Sequence, residues 1–119
     1  MTLIDRKNFD KPDEVRPFEG KGRAEVVFVG DRTIGKGVFE PGWRWSVNVK
    51  PIAGTDSCQV SHLTHVVEGR MRVTMTDGTE IELHPGDIAA IPPGHDAEVL
   101  GDTACIAYDF GEFGDYAKR

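Results

Sequence analysis

The stretch that decides the fold is GRMRVTMTDGTEIELHPGDIAAIPPGHDAEVLG, residues 69–101. Its glycines Gly69, Gly78, Gly86, Gly94 and Gly101 stand nine, eight, eight and seven residues apart. Between them lie segments that alternate or are briefly apolar. Met71, Val73 and Met75 alternate with Arg72 and Thr74, and Ile81 and Leu83 alternate with Glu80 and Glu82. Alternation of period two places one set of side chains on a buried face and the other in solvent, which is the signature of a half-buried strand. Asp77-Gly78 is expected as a two-residue hairpin turn with positive φ at both positions, and His84-Pro85-Gly86-Asp87 as a type II turn. Ile88–Ile91 then reads as a short buried strand, Pro92–His95 as a corner and Ala97–Leu100 as another strand.

Outward from this stretch the pattern continues. Residues 105–110 (CIAYDF), 24–29 (AEVVFV) and 36–40 (KGVFE) read as strands, and Pro41-Gly42-Trp43 as a turn feeding an extended WRWSVNV. No window carries a convincing amphipathic helix. Short strands at eight-residue intervals with turn chemistry between them predict an all-β sandwich or barrel. Residues 1–20 are polar, contain Pro12 and Pro17, and read as an N-terminal arm that packs on the barrel or on a neighbouring subunit. Residues 21–119 are expected to form the single barrel domain.

Composition restricts the function. The chain has 119 residues, enough for one hydrophobic core. Its net charge of −6 opposes nucleic acid or an anionic membrane as the main partner, since both reward clustered Lys and Arg. No apolar run approaches the roughly 20 residues that span a bilayer, and the opening MTLIDRKNFDKPDE lacks the apolar core of a signal peptide. A cytoplasmic location is expected, with Cys58 and Cys105 as free thiols. No phosphate loop or nucleotide fingerprint appears, so no nucleotide or organic cofactor is indicated.

VVEGRMRV followed by DGTEIELHPGDIAAIPPGHDAEV resembles the centre of a small single-domain cupin, over about residues 41–110. The family's motifs run G-x5-H-x-H-x3,4-E-x6-G and G-x5-P-x-G-x2-H-x3-N. Gly86, Pro92 and Gly94 keep the frame of the second. Counting back from Gly69 along the first places His62 at the glutamate position, Cys58 and Asp56 at the two histidine positions and Lys50 at the opening glycine. Ala97 stands at the second motif's histidine and Gly101 at its asparagine. The resemblance implies a cupin-type jelly-roll β-barrel, and a small organic molecule as ligand. Small cupins commonly pair, so a homodimer is expected.

The candidate metal ligands are therefore His62, His95, Cys58 and Asp56. His95 enters because it lies two positions before Ala97 and so shares its face in a strand. His65 has the opposite parity to His62 and should point away; His84, before Pro85 in a turn, should be exposed. Each candidate has a plainer rival: Cys58 as a small buried hydrophobe, Asp56 as a turn residue bonding its own backbone. A mixed His/Cys/Asp set favours Zn, Fe or Ni over Mg or Ca. Trp43 and Trp45 share a face and, with Arg44 or Lys50 gripping a carboxylate, are candidates for a substrate pocket, and Tyr108 and Asp109 divide between the faces of the last strand, with Tyr108 expected at the pocket. Two functions follow from the resemblance. One is a metal-dependent enzyme of oxygenase, isomerase or lyase type acting on a small organic acid or carbonyl compound. The other is a metal-free barrel that binds or senses a small molecule.

Overall fold

The computed structural model describes residues 3–111, 113–114 and 116–119. Among these described residues nine strands run in chain order: β1 Glu14–Pro17, β2 Gly22–Val29, β3 Arg32–Phe39, β4 His62–Glu68, β5 Arg70–Met75, β6 Glu80–Leu83, β7 Ile88–Ile91, β8 His95–Leu100 and β9 Cys105–Asp109. They form a six-stranded sheet ordered β1-β2-β3-β9-β4-β7 and a three-stranded sheet ordered β6-β5-β8. All pairings are antiparallel. The all-β architecture expected from the turn spacing is present, in the jelly-roll form that the family resemblance implies, although hydrogen bonds do not close the two sheets into one ring among the described residues.

The inner faces meet over a core that includes Val26, Phe39, Trp43, Val66, Met71, Leu83, Val99 and Ala107. One end of it is aromatic: the Phe39 ring lies 4.5 Å from Trp43 and 5.4 Å from Phe18. Phe39 folds back over its own strand, so a Cβ at Gly37 would meet its ring at 2.2 Å. Glycine at this point is what lets an aromatic cover the inward face of β3 in the six-stranded sheet.

Three local details depart from the sequence reading. Only Gly78 of the Asp77-Gly78 pair has positive φ, at 92°. The hairpin is a turn from Met75 to Gly78, closed by Gly78 N–H donating to the Met75 carbonyl at 2.9 Å, with Gly78 as the left-handed residue that follows a type I turn. The expected extended run after Trp43 stops at Trp45, where two short helical turns follow, α1 Trp45–Asn48 and α2 Lys50–Ala53. Trp45, Asn48, Val49 and Ile52 sit at i, i+3, i+4 and i+7, and the first three are buried. Gly54 ends the second turn at φ 73° with its N–H on the Lys50 carbonyl. Finally, residues 14–17 of the N-terminal segment are an edge strand of the large sheet, and Phe18 enters the core at 4% exposure.

Candidate metal centre

His62 opens β4. Along that strand Thr64 and Val66 follow it on the inner side, while Leu63, His65 and Val67 face out; the only register shift lies later, between Val66 and Glu68. His65 therefore points away from His62. His95 opens β8, opposite Met75, with Ala97 next on the same face. Its side chain is buried, at 3% exposure.

Cys58 reaches this pair by a different route from the one that strand parity suggests. Residues 54–60 are not a strand. Cys58 instead makes an isolated antiparallel bridge with His95: its N–H donates to the His95 carbonyl at 2.8 Å, and Gly94 N–H donates to its own carbonyl at 2.7 Å. A bridge of this kind sets two side chains side by side. One ligand atom from each of Cys58, His62 and His95 lies within 4.8 Å of the others.

The hydrogen bonds fix which imidazole nitrogens are available. His62 Nδ1 is bonded to the buried Asp109 carboxylate at Oδ2, and its Nε2 faces Cys58 Sγ at 3.6 Å. His95 Nδ1 bonds the Pro92 carbonyl at 2.8 Å, which leaves Nε2 as the ring nitrogen that meets Cys58. The carbonyl requires a proton on His95 Nδ1, and the carboxylate favours one on His62 Nδ1. Both histidines then present an Nε2 lone pair with the other nitrogen anchored, the arrangement that orients imidazoles toward a metal. Thiolate plus two imidazoles is a donor set for Zn²⁺ or another late transition ion, and three protein ligands leave a position open.

Without an ion, the groups answer to one another. Burial pushes the Cys58 thiol up, but hydrogen bonds and charge from His62 and His95 outweigh it and bring the pKa down to about 6. Burial likewise lowers His62, and its bonds to Asp109 and Cys58 overcome that and raise it to about 9. Cys105 has only burial acting on it and rises to about 12. Both cysteines are free and buried.

His62, His95 and Asp109 form the polar end of a cavity of about 50 Å³. Trp43, Trp45, Phe39, Met71 and Ile91 supply much of its wall. The Trp43–Trp45 segment is extended at Arg44 (φ −143°, ψ 131°) and runs beside β8, with Trp43 C=O accepting from Val99 N–H at 2.9 Å. Both indoles thus turn inward and Arg44 outward. A C-terminal segment covers the centre from the other side: the Tyr116 ring lies 5.4 Å from that of His62, and the Arg16 guanidinium holds the segment by the Gly114 and Tyr116 carbonyls at 2.6 and 3.0 Å.

Three sequence candidates lie elsewhere. Asp56 sits in the exposed turn after α2, its side chain fully in solvent and 3.7 Å from Lys50 Nζ, because the motif count ran through a loop where strand parity does not apply. Arg44 is ion-paired with Glu98 on the outer face, beside the Arg72–Glu98 pair, and does not reach the cavity. Tyr108 faces outward, half-buried, against the Phe9 ring at 5.4 Å. The neighbour Asp109 takes the inner position, following Cys105 and Ala107 on the same face. His84 is exposed beside Glu82. Tyr116 was legible only as an anchor of the tail; nothing local in the sequence places it over His62.

Residues 49–111 match the family described as "Cupin domain". The chain belongs to the cupin family. Among solved structures, a structural-genomics protein of unknown function from Rhizobium leguminosarum bv. viciae 3841 is similar at 28% identity and TM-score 0.56, over 76% of this chain and 80% of that one. A cupin 2 conserved barrel domain protein from Salinispora arenicola CNS-205 shares the fold at TM-score 0.60 and 17% identity, over 91% and 87%. KdgF from Halomonas sp. shares it at TM-score 0.58 and 19% identity, over 83% and 87%. Comparison with curated proteins finds no match. This cupin thus keeps the family's frame while its candidate ligands are one thiol and two imidazoles.

Proposed function

We propose that this cupin is a metal-dependent enzyme acting on a small organic molecule, with one Zn, Fe or Ni ion held by Cys58, His62 and His95. The observation that carries the reading is the anchoring of both histidines through Nδ1, by Asp109 and by the Pro92 carbonyl, beside a thiol within 4.8 Å. A metal there supplies Lewis-acid polarisation of a substrate oxygen, within the oxygenase, isomerase or lyase chemistry expected of the family. The chain's own residues do the rest. Asp109 keeps the proton on His62 Nδ1, the apolar wall excludes bulk water, and Trp43 and Trp45 shape the substrate pocket. Two buried free thiols suit a reducing, cytoplasmic setting.

A metal-free binding or sensing barrel is the second reading. It is favoured by the mutual compensation of Cys58 and His62, which lets the pair persist as thiolate and imidazolium without an ion. Metal analysis of protein purified without an affinity tag separates the two. About one transition-metal equivalent per chain, lost in His62→Ala, supports the enzyme; a metal-free protein carrying a small molecule supports the sensor.

A homodimer is the assembly we infer. Leu63, Val67 and Ile88 are 44, 42 and 70% exposed on the outer face of β4 and the edge strand β7, an apolar surface that a second copy would cover. Light scattering that gives a monomer mass at micromolar concentration contradicts it.

A further inference from the structure

The two sheets end in the strands β1, β7, β6 and β8, and among the described residues all but one of these edges are protected. β1 carries Glu14, Arg16 and Pro17, and β6 carries Glu80 and Glu82. The free side of β8 is taken by neighbouring backbone, through the Arg44–Glu98 and Cys58–His95 bridges and the Val99 N–H on the Trp43 carbonyl. Charge, proline and cover are the usual means by which an edge avoids pairing with another chain. β7 has none of them. Its residues are Ile88-Ala89-Ala90-Ile91, its pairing with β4 has no register shift, and a groove of about 510 Å³, lined from both strands, opens between it and β6.

Backbone direction fixes what this edge offers. Just before β7, the Asp87 carbonyl accepts from Val66 N–H at 3.0 Å, in register with the β4 ladder. The N–H and C=O groups of successive strand residues point alternately to the two sides. Ala89 and Ile91 therefore turn these groups toward β4, and Ile88 and Ala90 turn theirs to the free edge. Side chains alternate as well: Ile88, 70% exposed, and Ala90 stand on the outer face, and Ile91 is buried on the inner one.

Such an edge is its own complement. When two copies are set antiparallel about a two-fold axis at Ala89, Ile88 of each stands opposite Ala90 of the other. Each of these pairs exchanges two N–H···O=C bonds, and on the inner side only the two Ala89 methyl groups meet. A slip of one residue would set outer positions against inner ones. Charge permits the approach at this place. The chain carries a net charge of −6, so two copies repel in general, but no residue of β7 is charged. The Asp87 residues of the two copies fall roughly 13 Å apart along the joint, beyond the screening length of about 8 Å at physiological salt. Across the joint the outer row runs Leu63, Ala90, then Ile88 and His65 of the second copy, continuous with the apolar surface assigned above to the dimer.

We propose that β7 pairs with β7 of a second copy, antiparallel and centred on Ala89, and joins the two six-stranded sheets into one. This rests on the homodimer reading and gives that dimer its interface.

Cross-linking tests the register. Ile88→Cys and Ala90→Cys are each oxidised mildly alone and as an equal mixture after subunit exchange. In the pairing, position 88 of one copy and position 90 of the other have Cα atoms about 5.5 Å apart, within disulfide reach, whereas like positions lie roughly 8 Å apart, beyond the limit of about 7 Å. The native Cys58 and Cys105 are buried and common to all samples. The expected result is a covalent dimer in the mixture, on the order of fivefold above either variant alone; a mixture that cross-links no better than its components overturns the proposal. Charge gives a second readout. Ile88→Lys with Ala90→Lys sets like charges opposite each other and should raise the dimer dissociation constant roughly tenfold or more. Ile88→Lys with Ala90→Glu sets opposite charges there and should recover most of that loss, and equal constants for the two double variants overturn the proposal. Sedimentation equilibrium of the wild-type protein separates the two readings. A monomer at micromolar concentration contradicts the homodimer and this pairing with it; a dimer whose mixture fails to cross-link defeats the pairing alone.

Discussion

Replacing Asp109 with Asn isolates the role of the carboxylate, because the two oxygens have separate partners. Oδ1 accepts from the Leu63 and Gly111 backbone N–H groups at 3.3 and 2.9 Å, and Oδ2 is bonded to His62 Nδ1. Asparagine has one acceptor oxygen. If that oxygen stays with the two backbone amides, the NH₂ faces His62 Nδ1, which must then act as acceptor. The imidazole proton moves to Nε2, and the lone pair that would bind a metal is gone. If the amide flips instead, His62 keeps its tautomer but two part-buried N–H groups lose their acceptor, at up to about 1–3 kcal/mol for each group left unsatisfied. The first arrangement is therefore favoured. Loss of such an outer-shell partner typically lowers metal affinity by about 10- to 100-fold, or roughly 1.4–2.7 kcal/mol. Competition of Zn²⁺ between the protein and a coloured chelator measures it, with His62→Ala giving the loss of the ligand itself. Thermal melts of the metal-free proteins separate folding from binding. A folded Asp109→Asn protein with wild-type zinc affinity would refute the tautomer reasoning.

Further outcomes follow from the same geometry. In metal-free protein, absorbance at 240 nm should report one thiolate titrating at about 6, absent in Cys58→Ser, while Cys105, at about 12, stays protonated throughout. The depressed Cys58 pKa contributes stability that is lost as pH falls through about 6, and the raised His62 pKa contributes stability that is lost as pH rises through about 9. The two windows overlap with opposite slopes, because the Cys58 contribution is complete only above its ordinary value of 9.0 and that of His62 only below its ordinary value of 6.5. The metal-free melting temperature should therefore stay nearly level across this range, whereas Cys58→Ser, which keeps only the His62 contribution, should melt at lower temperature as pH rises through it; identical profiles for the two proteins would contradict the pairing. Gly69 has φ 75°, and a Cβ there would meet the Ala104 carbonyl oxygen at 2.3 Å and Cys105 Cα at 2.7 Å. Gly69→Ala should cost roughly 3 kcal/mol or more and on the order of 10 °C in melting temperature. Gly54→Ala, at a similar φ but with open space around it, should cost only about 1 kcal/mol; equal losses would show that the close approach of backbone at Gly69 does not matter.

The frame was legible because it is written locally. Gly86 and Gly94 have φ 96° and 94°, Gly78 closes its hairpin, and each alternating run between them became a strand. Local signals also put the two indoles on one side of Arg44, since that short piece is extended. What failed depended on contacts distant in sequence. Asp56 shares parity with Cys58 only if the intervening chain is a strand, and the turn after α2 breaks that condition. The α1 and α2 turns are too short for periodicity to stand out, and WRWSVNV has the β-branched and aromatic residues of a strand. Asp109 competed with the larger Tyr108 for the inner position, and its claim rests on the pairing of β9 with β4, where Thr64 faces Asp109 and His65 faces Tyr108. Cys58 was selected by motif position, but what brings it to His95 is a backbone bridge that no spacing rule describes.

The central claim is that Cys58, His62 and His95 hold one ion through a sulfur and two imidazole nitrogens. X-ray absorption at the zinc edge of the zinc-loaded protein tests it most directly. The account predicts one Zn–S scatterer at about 2.3 Å with nitrogen scatterers at about 2.0–2.1 Å, and loss of the sulfur shell in Cys58→Ser. A zinc site with only oxygen and nitrogen neighbours, or a protein that takes up no stoichiometric metal, would contradict it.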